Sequence, residues 1–320
     1  MYKATVCVPC YNCARTIRQT LFSILASTMP IKILIGNNCS EDGTTAILDE
    51  FERNFPNIQV FHHEKNLGYC GNISFLVQHA KTEYVAVFHS DDIYEPNIVE
   101  EEIRAAEKYD LDLVFVRMRS FFHGHWAKRK PGNYRFLKQT TDVDRWQGLD
   151  LIREIVLHWN FLPTPSLMIR RDVFLDLGGF SDQFPSNEDL DLWIRAAVAG
   201  KKFGMLRKYL LNYRRSSFNG SAMFNQKLRI PMYFQVLDYY NSKTSLLDKN
   251  RIAVAYRRAK ALALVDLAFK FRNNSATKYL KALENARDLL KNEFVSLPKF
   301  WVTFPRFYRI WNATKVWLRT

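Results

Sequence analysis

The sequence predicts an α/β fold: a mostly parallel central sheet with helices on both faces, followed by a helical C-terminal region. Three observations carry this. Up to about residue 115, short apolar runs alternate with helical patterns, and strands alternating with helices of such length form parallel sheets buried on both faces. Within the helical segments the apolar positions follow a 3.6-residue period, as in Ile17, Leu21, Ile24 and Leu25. Beyond Asn225 the chain carries no glycine and has proline only at 231, 298 and 305, a composition that lets helices continue.

In order, the pattern gives a strand over Ala4 to Val8, a helix over Asn12 to Ser27 and a strand over Ile31 to Ile35. A helix over Thr44 to Phe55, a strand over Ile58 to Phe61, a helix around Gly71 to Ala80 and a strand over Tyr84 to Phe88 follow. From Asp110 to Tyr213 the signals are mixed: a strand in "DLVFVRM", a helix near Trp146 to Leu157, a strand at Leu167 to Arg170, and a helix in "NEDLDLWIRAAVAG". In that last helix Leu190, Trp193, Ile194 and Ala197 share a face. Asn187 is its natural N-cap, and Glu188, Asp189 and Asp191 fall in the first turn, where the helix dipole favours carboxylates.

Composition narrows the class. With 320 residues, 48% of them hydrophobic, the chain can bury a sizeable core. No run of 18 apolar residues occurs, the N-terminal "ATVCVP" has no signal-peptide character, and five cysteines suit a reducing compartment better than a disulfide framework. The expectation is a cytoplasmic protein. Of the net charge of +14, the segment from Ser245 onward carries +11, with 16 basic and 5 acidic residues. The basicity belongs to the tail, which argues against a nucleic-acid-binding core and leaves nucleic acid out of the expected partners.

In sheets of this kind ligands bind beyond the carboxyl ends of the strands. All four of those ends are polar here: Pro9-Cys10-Tyr11-Asn12, Asn37 to Gly43, Asn66-Leu67-Gly68, and His89-Ser90-Asp91-Asp92. Turn and cap chemistry accounts for such residues singly, but less well for four exits at once. The adjacent carboxylates of Asp91 and Asp92 repel each other unless a cation sits between them and an anionic ligand. Mg2+ or Mn2+ suits that arrangement, because such ions take one or two carboxylates together with substrate phosphates.

Five blocks, "VCVPCYNCARTIRQTLFSIL", "ILIGNNCSEDGTTAIL", "NLGYCGNISFLVQHAKTEYVAVFHSDDIYEPN", "GGFSDQFPSNEDLDLWIRAAVAGKKF" and "YLLNYRRSSFNGS", stand in the order of the landmarks of glycosyltransferase family 2. Over residues 3 to 221 the chain resembles that family. The resemblance implies a GT-A fold, with a catalytic domain over 1–222, made of a nucleotide-binding half over 1–115 and an acceptor half over 116–222. A basic helical region follows over 223–320. It also implies an inverting, metal-dependent transfer of a sugar from a nucleotide-sugar donor to a glycan or lipid-linked saccharide, as in surface polysaccharide assembly. Pro9, Tyr11 and Asn12 then match the first nucleotide-binding segment, with the Tyr11 ring beside the base. Asn38 and Asp42 fall in the base-reading loop, and Asn66 in the third exit belongs with the donor-binding set. Asp91 and Asp92 match the DXD-type motif: Asp91 near the ribose or the metal, Asp92 on the metal. Asp189 matches the general base, Glu188 its supporting neighbour, and Arg214 and Arg215 lie where the departing diphosphate is contacted.

Two positions depart from the family pattern. Asn37-Asn38 stands where Asp-Asp or Asp-Asn is usual, leaving uracil, thymine and guanine all open. Ser216 stands where a histidine is common, and it cannot replace that residue as metal ligand or proton donor. Other classes fit worse. A nucleotidyltransferase or a dinucleotide dehydrogenase would need a glycine-rich loop after the first strand, and "PCYNCARTIRQ" has none. A non-catalytic basic binder of nucleic acid or membrane leaves Asp91, Asp92 and Asp189 unexplained.

The string Cys7, Cys10, Cys13 lacks a fourth ligand at iron–sulfur or zinc spacing and reads as small buried side chains. His62-His63 and His123-Gly124-His125 read as surface or acceptor-groove histidines. In the tail, Phe304, Phe307, Tyr308, Trp311 and Leu318 share one helical face and basic residues lie off it. That helix either rests on an anionic membrane surface, at the inner face of the membrane, or packs on the catalytic body or a second subunit.

Overall fold

The computed structural model describes residues 2–122, 125–126, 142–215, 226–244 and 276–290, with residue 247 and scattered positions from 252 to 264 between the last two. Ser216 and the aromatic tail face around Trp311 lie outside the described residues, as do His123 and Gly124.

The alternation expected from the sequence is present as β1 (Ala4–Cys10), α1 (Ile17–Leu25), β2 (Lys32–Asn37), α2 (Thr44–Asn54), β3 (Ile58–His62), α3 (Gly68–His79) and β4 (Tyr84–Val87). There follow β5 (Ile93–Tyr94), α4 (Ile98–Tyr109), β6 (Leu113–Phe122), β7 (His125–Trp126), β8 (Val143–Gln147), α5 (Leu149–His158) and a 3-10 turn at Thr164–Ser166. β9 (Leu167–Arg170), α6 (Arg171–Asp176), α7 (Glu188–Val198) and β10 (Lys202–Arg214) complete the sheet and its cover. The sheet order is β3-β2-β1-β4-β9-β6-β10-β5, with β7 on β6 and β8 on β10. The first four strands are all parallel. β9 runs antiparallel to both β4 and β6, and β10 is parallel to β6. The fold is the GT-A form of the α/β class.

The parallel half is buried on both faces, as its unbroken apolar runs require: β1 and β4 hold Val6, Val8, Val85 and Val87 at no measurable exposure. α1 lays Ile17, Leu21 and Ile24 on one face of it and α2 adds Leu48 and Phe51. On the other face α3 approaches unusually closely at Gly36. A Cβ there would lie 1.8 Å from Asn72 Oδ1, and the Asn72 amide donates to the Gly36 carbonyl at 2.8 Å. Only glycine permits that approach.

Two expectations shift. Trp146 belongs to strand β8, not to the start of a helix; the helix begins at Leu149 after Gly148, whose φ is +56°. Asn12 also has a left-handed backbone, φ +49°, and α1 starts at Ile17, the first residue of the apolar stripe, five residues after the expected start at Asn12.

The chain divides into two compact units, Met1–Asp248 and Lys249–Thr320. The helix Gln226–Thr244 lies in the first. Its Tyr233 hydroxyl donates to the Ile155 carbonyl at 2.7 Å and its Tyr240 hydroxyl to Asp191 at 2.5 Å. Asp191 is also paired to Arg195 at 2.7 Å, so this buried carboxylate is satisfied from two sides. In the second unit, helix Ala276–Leu290 buries Ala282 and Ala286, four residues apart, and exposes Lys281 and Glu284.

α4 holds an exception to its own pattern. Glu102 shares the buried stripe with Ile98, Val99, Ile103 and Ala106, and neither of its carboxylate oxygens has a hydrogen-bond partner. Burial pushes this carboxyl well above its ordinary range, so folding binds a proton there. A raised acid contributes stability that is full below the unfolded-state value, near 4.3, and is lost as pH rises. Glu102→Met keeps the volume and helix propensity while removing the orphan, and should raise unfolding stability by about 1–3 kcal/mol at neutral pH. Its advantage over the wild type should shrink between pH 7 and pH 4.5, read from thermal melts across that range; a variant melting below the wild type at pH 7 would contradict this.

Candidate active site

The site is built at the carboxyl end of β4, where the chain turns through Ser90, Asp91 and Asp92 before entering β5. Each of the three backbone carbonyls in this turn accepts a bond from another element. Thr16, the N-cap of α1, and Thr20 within it donate their hydroxyls to Ser90 O at 3.0 and 3.1 Å. Arg214 Nε, at the end of β10, donates to Asp91 O at 2.7 Å, and Thr20 donates to Asp92 O at 2.7 Å. Phe88 stacks on Tyr94 with ring centroids 3.9 Å apart, and the Tyr94 hydroxyl accepts the His89 N–H at 2.6 Å. With the backbone tied from outside, the two carboxylates are held side by side.

Asp92 is fully buried. Its Oδ1 accepts the Arg214 backbone N–H at 2.8 Å, while its Oδ2 is buried with no partner. Burial and the neighbouring Asp91 charge push the Asp92 carboxyl well above its ordinary range, against the opposing Arg214 N–H. An orphaned, buried carboxylate oxygen is costly unless a cation meets it. One ligand atom each from His89, Asp91 and Asp92 lies within 4.8 Å of the others, the one such group of three among the described residues. This oxygen-rich set fits a divalent ion such as Mn2+ or Mg2+.

The second pair of acids opens α7. Asp189 Oδ2 accepts the Asn160 amide at 2.7 Å and the Thr164 hydroxyl at 2.9 Å, and Oδ1 accepts the Leu190 N–H at 2.7 Å. Thr164 lies in the 3-10 turn leading into β9, whose Leu167 pairs with Val87 of β4. The antiparallel β9 therefore carries the Asp189 anchor to the same sheet edge as the Asp91-Asp92 turn. Glu188 is raised to about 7, first by burial, then by the Asp189 charge, against its own backbone N–H and that of Ser186. The Tyr69 phenol is pushed up by burial and by the charges of Glu188, Asp189 and Asp91, so both acid pairs act on one side chain. Neither Thr164 nor Asn160 carries a motif signal; only the pairing of β4 with β9 brings them in.

The other exits frame the same edge. Tyr11 is exposed at 52% and Pro9 is half-buried beside it. Asn12 Oδ1 accepts the Glu41 N–H at 2.8 Å and its own N–H donates to Ser40 at 3.0 Å, tying the first exit to the second. Asp42 accepts from the backbone of Ala14 at 3.1 Å and of Thr44 at 2.9 Å. Burial works against its charge, but the Thr44 hydroxyl and these N–H groups outweigh it and hold the carboxyl below its usual range. The Asn38 amide is turned to the third exit: it donates to Asn66 Oδ1 at 2.8 Å and to Gly68 O at 3.1 Å, and accepts the Leu67 N–H at 2.7 Å. Asn37 reaches Thr45 at 2.9 Å and His62 at 3.0 Å, and His63 meets Asn72 at 3.0 Å, so both histidines brace the sheet. The Arg214 guanidinium is committed to Asp91 O, to Gln19 at 2.8 Å and to the face of Phe121 at 4.7 Å. Arg215 is exposed. Cys7, Cys10 and Cys13 are buried as free thiols.

The sequence model of "Glycosyl transferase family 2" matches residues 5–178. The chain belongs to that family, and it is a glycosyltransferase. It is similar to the minor teichoic acid biosynthesis protein GgaB of Bacillus subtilis, 21% identical over 277 residues; the match covers 78% of this chain but only 30% of that protein. Among solved structures it is similar to residues 1–349 of S. aureus TarS in complex with UDP-GlcNAc, with TM-score 0.57, 16% identity and 90% of each chain covered. It is also similar to the mannosyltransferase PcManGT from Pyrobaculum calidifontis in complex with GDP-Man and Mn2+, with TM-score 0.56 and 13% identity over 99% of this chain and 84% of that one. At these identities the two structures speak to the fold.

The buried Thr20 hydroxyl serves two carbonyls of the Asp91-Asp92 turn. Thr20→Val keeps the shape, strands the Asp92 carbonyl and leaves Ser90 O to Thr16 alone, and should lower unfolding stability by about 1–3 kcal/mol with an unchanged denaturant slope. An unaltered urea midpoint would show that the turn does not depend on α1.

Proposed function

We propose that the chain transfers one sugar from a nucleotide-sugar donor to a hydroxyl of a glycan or lipid-linked saccharide, with inversion at the anomeric carbon. The observation that carries this is the orphaned Oδ2 of Asp92, set at the same sheet edge as an Asp189 carboxylate that three donors hold in place. In this reading Pro9, Tyr11, Asn12, Asn38, Asp42, Asn66 and Asp91 frame the donor nucleotide. The Tyr11 ring lies beside the base, and Asn38 shapes the base loop through its bonds to Asn66 and Leu67. Asp92 and Asp91 would hold Mn2+ or Mg2+, which when bound offsets the negative charge of the departing diphosphate. The exposed Arg215 would contact that diphosphate, while Arg214 holds the turn.

Asp189 accepts the acceptor hydroxyl's proton as that oxygen attacks the anomeric carbon. A single displacement suffices, and no covalent sugar-enzyme intermediate forms. Glu188, beside it, supports the base. The similarity to GgaB, a minor teichoic acid biosynthesis protein, supports an acceptor in cell-surface polymer assembly. The donors in the two similar structures, UDP-GlcNAc and GDP-Man, frame the choice of base. The division into a donor half over 1–115, an acceptor half over 116–222 and a basic helical region over 223–320 is part of the same reading. No helix among the described residues is long and apolar enough to cross a membrane; contact of the basic tail with an anionic inner leaflet would bring a lipid-linked acceptor to the site.

Binding of UDP, dTDP and GDP, with and without Mn2+, tests the donor site. One of the three should bind in a metal-dependent manner to the wild type and not to Asp92→Ala; metal-independent binding of equal strength to both would sink the reading. For the chemistry, Asp189→Asn should lower the transfer rate by about 10²–10⁴-fold with donor affinity retained. Glu188, raised to about 7, is protonated below that pH and ionised above it. The wild-type rate should therefore climb through neutral pH, and Glu188→Gln should lose that limb of the profile. An identical profile in the variant would free Glu188 of any part in it.

A further inference from the structure

We propose that His89 supplies a nitrogen ligand, through Nδ1, to the divalent ion at Asp91 and Asp92, and so biases the site toward Mn2+ over Mg2+. The inference rests on the metal-dependent reading above and extends it to a residue outside the paired acids. Three observations point to it. The ligand atoms of His89, Asp91 and Asp92 converge within 4.8 Å, close enough to share one ion. Oδ2 of Asp92 is buried without a partner, which marks this cluster off from an ordinary acidic turn. And the imidazole is already fixed from its far side: Nε2 meets the Tyr69 hydroxyl at 2.9 Å, leaving Nδ1 as the nitrogen for a ligand.

That arrangement has the form of a braced metal-binding histidine. A ligating imidazole donates its other N–H to a neighbouring oxygen, which sets the tautomer and the ring's orientation. Here Nε2–H would donate to the Tyr69 oxygen, putting the lone pair on Nδ1. The Tyr69 ring stands edge-on to His89 with centroids 5.7 Å apart and is itself packed against Phe180 at 5.8 Å. On its main chain, His89 is held by the Tyr94 hydroxyl, so ring and backbone are both restrained. The consequence is selectivity. Mg2+ takes oxygen ligands almost exclusively, whereas imidazole suits the first-row transition ions. A site of two carboxylates alone would not distinguish the two ions in this way.

The test is pulsed electron paramagnetic resonance of Mn2+ on the folded full chain, with Mn2+ alone and with Mn2+ plus UDP. The wild type should show a nitrogen-14 hyperfine coupling of the kind a directly bound imidazole produces. His89→Gln should lose that coupling, with Mn2+ affinity falling by about tenfold or more. Mg2+ affinity, measured by competition, should fall less. Tyr69→Phe keeps both rings and removes only the brace. It should retain the coupling while weakening Mn2+ binding by about tenfold, and it serves as the second variant if His89→Gln does not fold. Bound Mn2+ with no nitrogen coupling in the wild type, or with the coupling unchanged in His89→Gln, would overturn the role of His89 and leave the carboxylate site standing. Wild-type protein that binds no Mn2+ under either condition would overturn the metal-dependent reading, and this inference with it.

Discussion

Two adjacent carboxylates at the end of a buried strand repel each other, and the structure around β4 is arranged to hold them together nevertheless. The three carbonyls from Ser90 to Asp92 are bonded by Thr16 at the start of α1, by Thr20 within it and by Arg214 of β10. The Arg214 backbone N–H then takes one oxygen of Asp92 and leaves the other without a protein partner. Much of the surrounding topology follows from this. β10 runs long enough to pair with β6 along most of its length and still reach β5, immediately beyond the turn. A helix and a long strand from distant parts of the chain thus converge on three residues that β5 directly follows.

The second pair of acids is positioned by a different device. Inserting the antiparallel β9 between β4 and β6 brings Thr164 to the edge where β4 ends, and Thr164 and Asn160 together orient Asp189 at the start of α7. α7 is fixed in turn from its other face. Asp191 is satisfied by Arg195 and by Tyr240 of the helix Gln226–Thr244, and Arg195 also donates to the Leu177 and Gly179 carbonyls. The helix beyond residue 225 therefore braces the element that carries Asp189. Glu188 and Asp189 differ in consequence: the first is raised by burial, while the second accepts three hydrogen bonds.

The parallel half of the fold was legible because its signals are local. The 3.6-residue stripe of α1 and the apolar runs of β1 and β4 depend only on neighbouring residues, and the five motif blocks gave the family. What the sequence hid was set by pairing across the chain. Trp146 stands just before the apolar period that runs from Leu149 to Leu157 and reads as its first member; it is a strand because Val143–Gln147 finds β10 as an antiparallel partner. α4 was obscured by Glu102, a charge-bearing residue inside the buried stripe that the pattern treats as polar. Asp91, Asp92, Glu188 and Asp189 stood out as acids in motif positions. Thr16, Thr20, Asn160 and Thr164 are small polar residues whose roles exist only once β4, β9 and α1 have met. Asn38 illustrates a further limit: its place in the base loop was readable, but not that its amide would be spent on Asn66, Leu67 and Gly68.

The measurement that bears most directly on the central claim is a crystal structure of the wild-type chain grown with Mn2+ and the nucleoside diphosphate it binds, using anomalous scattering to locate the metal. The account predicts a manganese peak against Oδ2 of Asp92, with the diphosphate on its far side, the base beside Tyr11, and Asp189 facing the space where the sugar would lie. A nucleotide bound away from the carboxyl ends of β1 and β4, or a metal that leaves Oδ2 of Asp92 unpartnered, would contradict it.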